Sequence, residues 1–519
     1  MIDLRQLQIS IRVSFLVSNW RVLVALLAGC LLAGGAVGAG VAALSPLVAL
    51  ALVVGAVGGL LMLRSVQWGL YATIAVAILL PFAAVPVNVG FKPTFLDLTL
   101  GMVFVVWFMT LAAGRVRALR VAPVAPLVLA FLVIALAAFV GGLQHAGLDK
   151  NTLRRFGEVL TSIALFFALV DHVRQRRQLE GVAVVIILCG FLSALIALFL
   201  YVIPNATAIR LLSMLGRFDY PVGPGVLRFI EDNPALPQRA TSTAVDPNVY
   251  GGMLILLIAF AAPQLATSRP LLPRWATPGI LATMGLALVL TFSRGAMVGL
   301  VVALAPLMLL RYRRLIPYVL AAGLLLLLLP QAQGYISHFI AGLRGEDLAT
   351  QMRFGEYKDA LLLIRRYPWF GVGFSGSPDI DLYVGVSSVY LLMAEQMGLI
   401  GVGVFLLLML TFFLYAILAI RRLRGDRRVE PILLGLVSAV LGAMFGGIFD
   451  HYFFNITFIH SVTLFWLFVG LAMAAARIGF EEQAGTAPVA APPPSLPRSL
   501  AWLGPLWVIL HGAEVPGRS

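Results

Sequence analysis

The sequence predicts an all-α polytopic integral membrane protein with about 12–14 transmembrane helices. Three observations lead there. Of the 519 residues, 61% are hydrophobic and only 12% are charged, and the mean hydropathy is +0.98. Apolar runs near the roughly 20-residue length that crosses a bilayer recur along the whole chain. Short clusters of arginine stand at the ends of alternate runs. This composition excludes a soluble enzyme. The formal net charge of +14 comes almost wholly from arginine, and in a membrane chain it reports cytoplasmic loops and contact with anionic membrane lipids. No basic soluble domain is present to bind nucleic acid. Cys30 and Cys189 lie inside apolar runs as small packing residues, and offer no disulfide framework or thiolate site.

In chain order, the spans fall at 22–44, 46–63, 68–86, 96–114, 124–143, 157–171, 181–203, 247–265, 278–293, 295–310, 315–331, 387–420, 431–449 and 456–476. The first run is too long for a signal-peptide core. The 387–420 run exceeds one crossing, so it is either tilted or begins outside the hydrocarbon. Counted from a cytoplasmic N-terminus, the arginine clusters fall on one side. They include Arg115/Arg117/Arg120, Arg174/Arg176/Arg177, Arg311/Arg313/Arg314 and Arg421/Arg422/Arg424/Arg427/Arg428. The positive-inside rule then places both termini in the cytoplasm. Two long loops, at about 204–246 and 332–386, lie on the other side. The expected organisation is N-terminal helices over 1–234, a core over 235–479 and a disordered cytoplasmic tail over 480–519, rich in Ala and Pro.

Four constellations on the outer side carry chemical meaning. Arg239 precedes Asp246-Pro247-Asn248, where Asp246 is placed to cap a helix and Pro247 to occupy its first turn. Arg294 lies in Thr291-Phe292-Ser293-Arg294-Gly295, between two apolar runs that need no cation for folding. Arg353 precedes an amphipathic helical pattern whose charges are spaced three and four residues apart, closed by Tyr367-Pro368-Trp369-Phe370-Gly371-Val372-Gly373. Asp450-His451-Tyr452 and the more deeply placed His460 form the fourth, with His suited to proton transfer near neutral pH. Each also has a plainer reading: a capped helix beside a loop Arg, a snorkelling Arg at a turn, a charged surface helix, and an aromatic interface belt. Taken together, they point to one outer pocket in which guanidinium groups hold a phosphate. No acidic cluster of metal-binding spacing accompanies them, so arginine is expected to serve without a metal or other cofactor.

At these residues the chain resembles the O-antigen ligase and O-antigen polymerase-like superfamily. The carriers are Arg239 with Asp246-Pro247-Asn248-Val249-Tyr250-Gly251-Gly252, the Ser293-Arg294-Gly295 turn, Arg353 with Pro368-Trp369-Phe370-Gly371-Val372-Gly373, and Tyr390 through Gly401. The resemblance implies a helical membrane glycosyltransferase of the C type in the bacterial inner membrane. Such an enzyme moves glycan from undecaprenyl diphosphate to an acceptor hydroxyl on a glycan, lipid or protein at the periplasmic or external face. It implies that Arg239, Arg294 and Arg353 hold the donor diphosphate. It also implies a general-base His where this chain has Ser387, followed by Ser388. The base then falls to His451, Glu395 or His460, in that order, with Asp450 orienting His451. Ligase and polymerase chemistry both fit. The competing classes are a non-enzymatic transporter and a silent assembly partner for lipid-linked glycans. A transporter would set charges toward the midplane in paired repeats, whereas these charges collect at one face.

Overall fold

A computed structural model of the chain describes residues 58–86, 90–114, 119–145, 147–313, 316–317, 348–376 and 385–485. The span predicted at 22–44, most of those at 46–63 and 315–331, and the tail beyond 485 lie outside the described residues. The chain divides into Met1–Arg64 and Ser65–Ser519. In the first unit, residues 58–64 are helical; everything below concerns the second.

Thirteen helices order the second unit among the described residues: α1 Val66–Leu79, α2 Phe95–Ala112, α3 Ala125–Gly142, α4 Lys150–His172, α5 Arg176–Val202, α6 Asn205–Ser213, α7 Pro247–Ala261, α8 Ala276–Leu290, α9 Arg294–Pro306, α10 Leu348–Arg366, α11 Val389–Arg422, α12 Val429–Gly446 and α13 Ile459–Gln483. Eight helical segments are long and apolar enough to cross a membrane, and α1 and α8 are shorter apolar helices. The protein is thus an all-α polytopic membrane protein. The sheet among the described residues is one hairpin, β1 Arg228–Phe229 against β2 Gln238–Arg239; the boundary expected at 234/235 falls inside it.

Helix α13 is the centre of the bundle. It is apolar all round, and the whole of its 18-residue apolar window is buried, as expected for a helix with neighbours on every side. It packs along α4 and α12. Helices α7, α9 and α12 form a second tight group. A Cβ built on Gly299 would lie 2.8 Å from Ile255 Cδ1 and 3.1 Å from the Gly442 carbonyl oxygen, and one on Gly442 would lie 2.6 Å from Ala303 Cβ. Small residues let backbones meet where lipid offers no hydrophobic drive for association. Leu129, Val133, Leu136 and Val140 of α3, and Leu407, Leu410, Leu414 and Leu418 of α11, remain exposed; these are the faces suited to lipid tails.

One end of the bundle is a layer of ion pairs. Arg176 bridges Asp426 and Glu482. Arg428 meets Glu180 at 3.0 Å, Arg311 meets Glu430 at 2.9 Å, and Arg120 meets Glu481 at 3.0 Å. Arginines from alternate loops of the sequence thus share one end. Helix α12 runs from that layer, at Val429, to the opposite end at Gly446, a rise of roughly 27 Å at 1.5 Å per residue.

The long 387–420 run is a broken helix. Gly398 has φ 68° and ψ −176° inside α11. The part over 399–422 is about 36 Å long at 1.5 Å per residue, enough to cross a hydrocarbon core of roughly 30 Å. The Pro-Trp-Phe-Gly-Val-Gly turn docks on the break. The Val372 N–H donates to the Glu395 carbonyl at 2.7 Å, the Gly373 N–H to that of Gln396 at 3.1 Å, and the Leu399 N–H to that of Pro368 at 2.7 Å. These bonds occupy the backbone groups that the break releases. Helix α10 covers Leu348–Arg366, so Arg353 lies within it, not ahead of it as the sequence pattern implied: residues 348–352 carry none of the charge pairs that mark the helix.

A Cβ at Gly398 would overlap the Trp369 carbonyl, while Gly403 has nothing within 4 Å of its Cβ position. Gly398→Ala should therefore cost about 1–3 kcal/mol, whereas Gly403→Ala should be neutral or stabilise by up to about 1 kcal/mol. Thermal unfolding in detergent measures the difference. Equal melting temperatures would contradict the account of the break.

Candidate functional site

At the end of the bundle away from the ion-pair layer, two helix N-termini open on one cavity. Asp246 caps α7, its Oδ1 accepting the N–H groups of Asn248 at 2.7 Å and Val249 at 3.0 Å, with Pro247 in the first turn. Helix α9 starts at Arg294 with Ser293 as N-cap and no side-chain cap bond. Its first-turn amides therefore present the positive end of the helix to whatever lies above.

Arg239 ties the two starts together. Its Nε donates to the Thr291 carbonyl at 2.7 Å and one terminal nitrogen to Asn248 Oδ1 at 2.7 Å. Next to it, the Ala240 N–H donates to the Leu290 carbonyl at 2.7 Å. The connection from α8 to α9 is tight. Phe292 sits at φ 53°, and the Ser293 N–H donates to Thr291 Oγ1 at 3.1 Å. Val245, just before the α7 cap, has φ 63°. Left-handed backbone at a β-branched or aromatic residue costs of order 1–3 kcal/mol; it persists here because the surrounding bonds fix the turn.

The Gly251-Gly252 pair sets how close these parts come. A Cβ on Gly251 would lie 2.8 Å from Ala296 Cβ and 3.2 Å from Ser293 Cβ. One on Gly252 would overlap the ring of Tyr452. Glycine at both positions lets the start of α9 and the 450–452 turn lie flat against α7.

The 450–452 turn sets a carboxylate beside an imidazole. Asp450 Oδ1 accepts the His451 backbone N–H at 2.9 Å and lies 3.2 Å from its ring Nδ1. Asp450 Oδ2 is 4.0 Å from the Arg353 guanidinium. Burial works against the imidazolium of His451, but the contact with Asp450 and the negative charges of Asp450, Glu356 and Asp246 outweigh it. The ring is held above its ordinary value.

The cavity has a volume of about 80 Å³. Three of its lining residues are Arg239, Arg294 and Arg353, and two are carboxylates, Glu231 and Asp450. Asn248, Ser293 and Tyr452 also line it. The structure thus brings together the three arginines and Asp450, with His451 beside them. It does not bring in the other two base candidates. Glu395 is buried at 1% exposure in the short first part of α11, behind the docked turn. His460 is buried at 1% exposure and its ring packs edge-on to Phe82, 5.0 Å between centroids. Glu356 went unnoticed in the sequence because it fits the charge pairing of a surface helix. Its Oε2 instead accepts the Ser387 N–H at 2.9 Å. Its three-residue spacing from Arg353 was the available signal. Among the described residues there is no group of three or more His, Cys, Asp or Glu able to hold a metal ion.

The fold and this cavity define a polytopic helical membrane protein with an arginine-lined pocket at one end of the bundle. Compared with known families, residues 279–406 match the model of the O-antigen ligase family, the same family resemblance that the motifs carry. No curated protein matches it. The matched segment holds Arg294 and Arg353; Arg239 and the 450–452 turn lie outside it and meet it at the cavity.

If Gly252 is the seat of Tyr452, Gly252→Ala should destabilise the protein by roughly 1–3 kcal/mol through overpacking. That penalty should shrink in a Tyr452→Ala background, as contacting residues couple. A double-mutant cycle of thermal unfolding reads this directly, and additive penalties would refute it.

Proposed function

We propose that the protein is a glycosyltransferase that moves glycan from undecaprenyl diphosphate to an acceptor hydroxyl, with the diphosphate held by Arg239, Arg294 and Arg353. The observation that carries the reading is the convergence of three guanidinium groups and the α9 N-terminus on one cavity. Guanidinium binds phosphate oxygens in a fork, and a helix N-terminus adds backbone donors. His451, oriented by Asp450, takes the proton from the acceptor hydroxyl. The acceptor oxygen attacks the anomeric carbon of the donor sugar. The bond from that carbon to the phosphate oxygen breaks, and undecaprenyl diphosphate leaves with one further negative charge. The arginines are placed where that charge develops, which is how fixed donors lower a barrier. The acceptor is a glycan, lipid or protein hydroxyl.

The arginine layer at the opposite end supports a cytoplasmic placement of that end and of both termini in a bacterial inner membrane, with the cavity facing the periplasm or exterior. A transporter reading is less well supported, since the charged groups of the cavity sit at one end of the bundle and not along the spans.

Arg294→Ala should lower transfer by about 10²–10³-fold, as for the loss of one donor to a developing oxyanion. Arg294→Lys should fall between it and the unsubstituted protein, because ammonium keeps the charge without the fork. Glycan length and attachment in cells at matched protein level are the readout; normal glycan in both variants would sink the donor site.

A neutral imidazole is the base, so transfer should rise with pH through the raised value of His451, above the ordinary value of about 6.5. Asp450→Asn removes the carboxylate that favours the imidazolium, so the acidic limb should move to lower pH. A limb that stays in place, or a His451→Ala protein with unchanged transfer, would rule out His451 as the base.

A further inference from the structure

Helix α10 touches the cavity with one face. Thr350, Arg353 and Glu356/Tyr357 recur at three- and four-residue steps along it. The Arg294 guanidinium lies 3.5 Å from Thr350 Oγ1, Arg353 lies 4.0 Å from Asp450 Oδ2, and Glu356 Oε2 accepts the Ser387 N–H at 2.9 Å. The Tyr357 hydroxyl donates to the Ser387 carbonyl at 3.4 Å. The helix therefore meets three separate elements: the start of α9, the 450–452 turn and the approach to α11.

Of these contacts, that of Glu356 is the short charge-assisted one, a class roughly twice as strong as a neutral bond. The contacts from Thr350 to Arg294 and from Arg353 to Asp450 are longer. Ser387 precedes α11, whose first residue is itself anchored: the Val389 N–H lies 2.8 Å from the Gly447 carbonyl and 3.1 Å from that of Asp450. The Ser387 amide is thus a fixed point beside the turn that carries Asp450, to which Val389 is bonded. Binding to it sets the height of α10 over the cavity.

We propose that Glu356 is a positioning residue, whose carboxylate grips the Ser387 N–H and so seats α10 with Arg353 facing Asp450 and the cavity. In this chain a carboxylate from the neighbouring helix holds the backbone at Ser387. It also contributes to the field at His451. The charged groups facing that ring are Asp450 on its own turn, Glu356 on α10 and Asp246 at the α7 cap, with Arg353 paired to Asp450. The proposal rests on the donor-site reading for its activity readouts, but not for its structural one.

The test uses the full-length protein in nanodiscs, as Glu356→Ala, Glu356→Gln and Arg353→Ala. Glu356→Ala should speed hydrogen exchange of the Ser387 amide by about tenfold, the effect of losing one such bond. Glu356→Gln should not, because its amide oxygen still accepts. Glu356→Ala and Arg353→Ala should each raise the donor KM by about tenfold. Glu356→Gln should keep KM and shift the acidic limb of the pH profile to lower pH. Unchanged Ser387 exchange in Glu356→Ala would overturn the proposal. So would a normal donor KM in Glu356→Ala beside a raised one in Arg353→Ala. A normal KM in Arg353→Ala strikes instead at the donor-site reading, and the exchange rate still decides the Glu356 contact.

Discussion

The cavity depends on how closely α7 is approached by its neighbours at Gly251 and Gly252. The start of α9 and the ring of Tyr452 lie where side chains would otherwise stand. Their separation from α7 sets where Arg294 and Asp450 sit. Arg239 then locks the same group from above, through the Thr291 carbonyl and Asn248. Close packing transmits such constraints because interiors have no slack to absorb them. Left-handed Phe292 and Val245 are the local cost of this arrangement.

The two ends of the bundle use arginine differently. At one end each of Arg176, Arg311 and Arg428 meets carboxylates from other segments, and the pairs tie loops together. At the cavity, three guanidiniums face two carboxylates among the lining residues, which leaves an excess of positive charge. An excess of that kind suits an anionic ligand, which is the ground of the function proposed for this cavity.

Much of this was legible in the sequence. Each predicted span that falls within the described residues has a helix, because apolar length and flanking arginine are strong local signals. The Asp246 cap and its Pro247 were readable for the same local reason. The meeting of Arg239, Arg294 and Arg353 was expected only because they share a side and a motif order. The failures are tertiary. Arg353 was placed ahead of its helix because residues 348–352 carry none of the charge pairs that mark the helix in the sequence. Glu356 read as a surface charge because its partner is a backbone amide 31 positions away. Glu395 and His460 carry suitable chemistry, but no sequence pattern reveals that their side chains point into packing.

The docked turn over 367–373 has a bearing on how the protein can vary. Its amides serve the carbonyls of Glu395 and Gln396, and its Pro368 carbonyl serves Leu399. Gly371 lies against the backbone of Glu395 and Gln396, and Gly398 against that of Trp369 and Phe370. Neither segment is an independent unit of inheritance. A chimera that exchanges the region of α10 between relatives has to carry residues 395–399 with it, or it will bring a turn to a helix with no break to receive it.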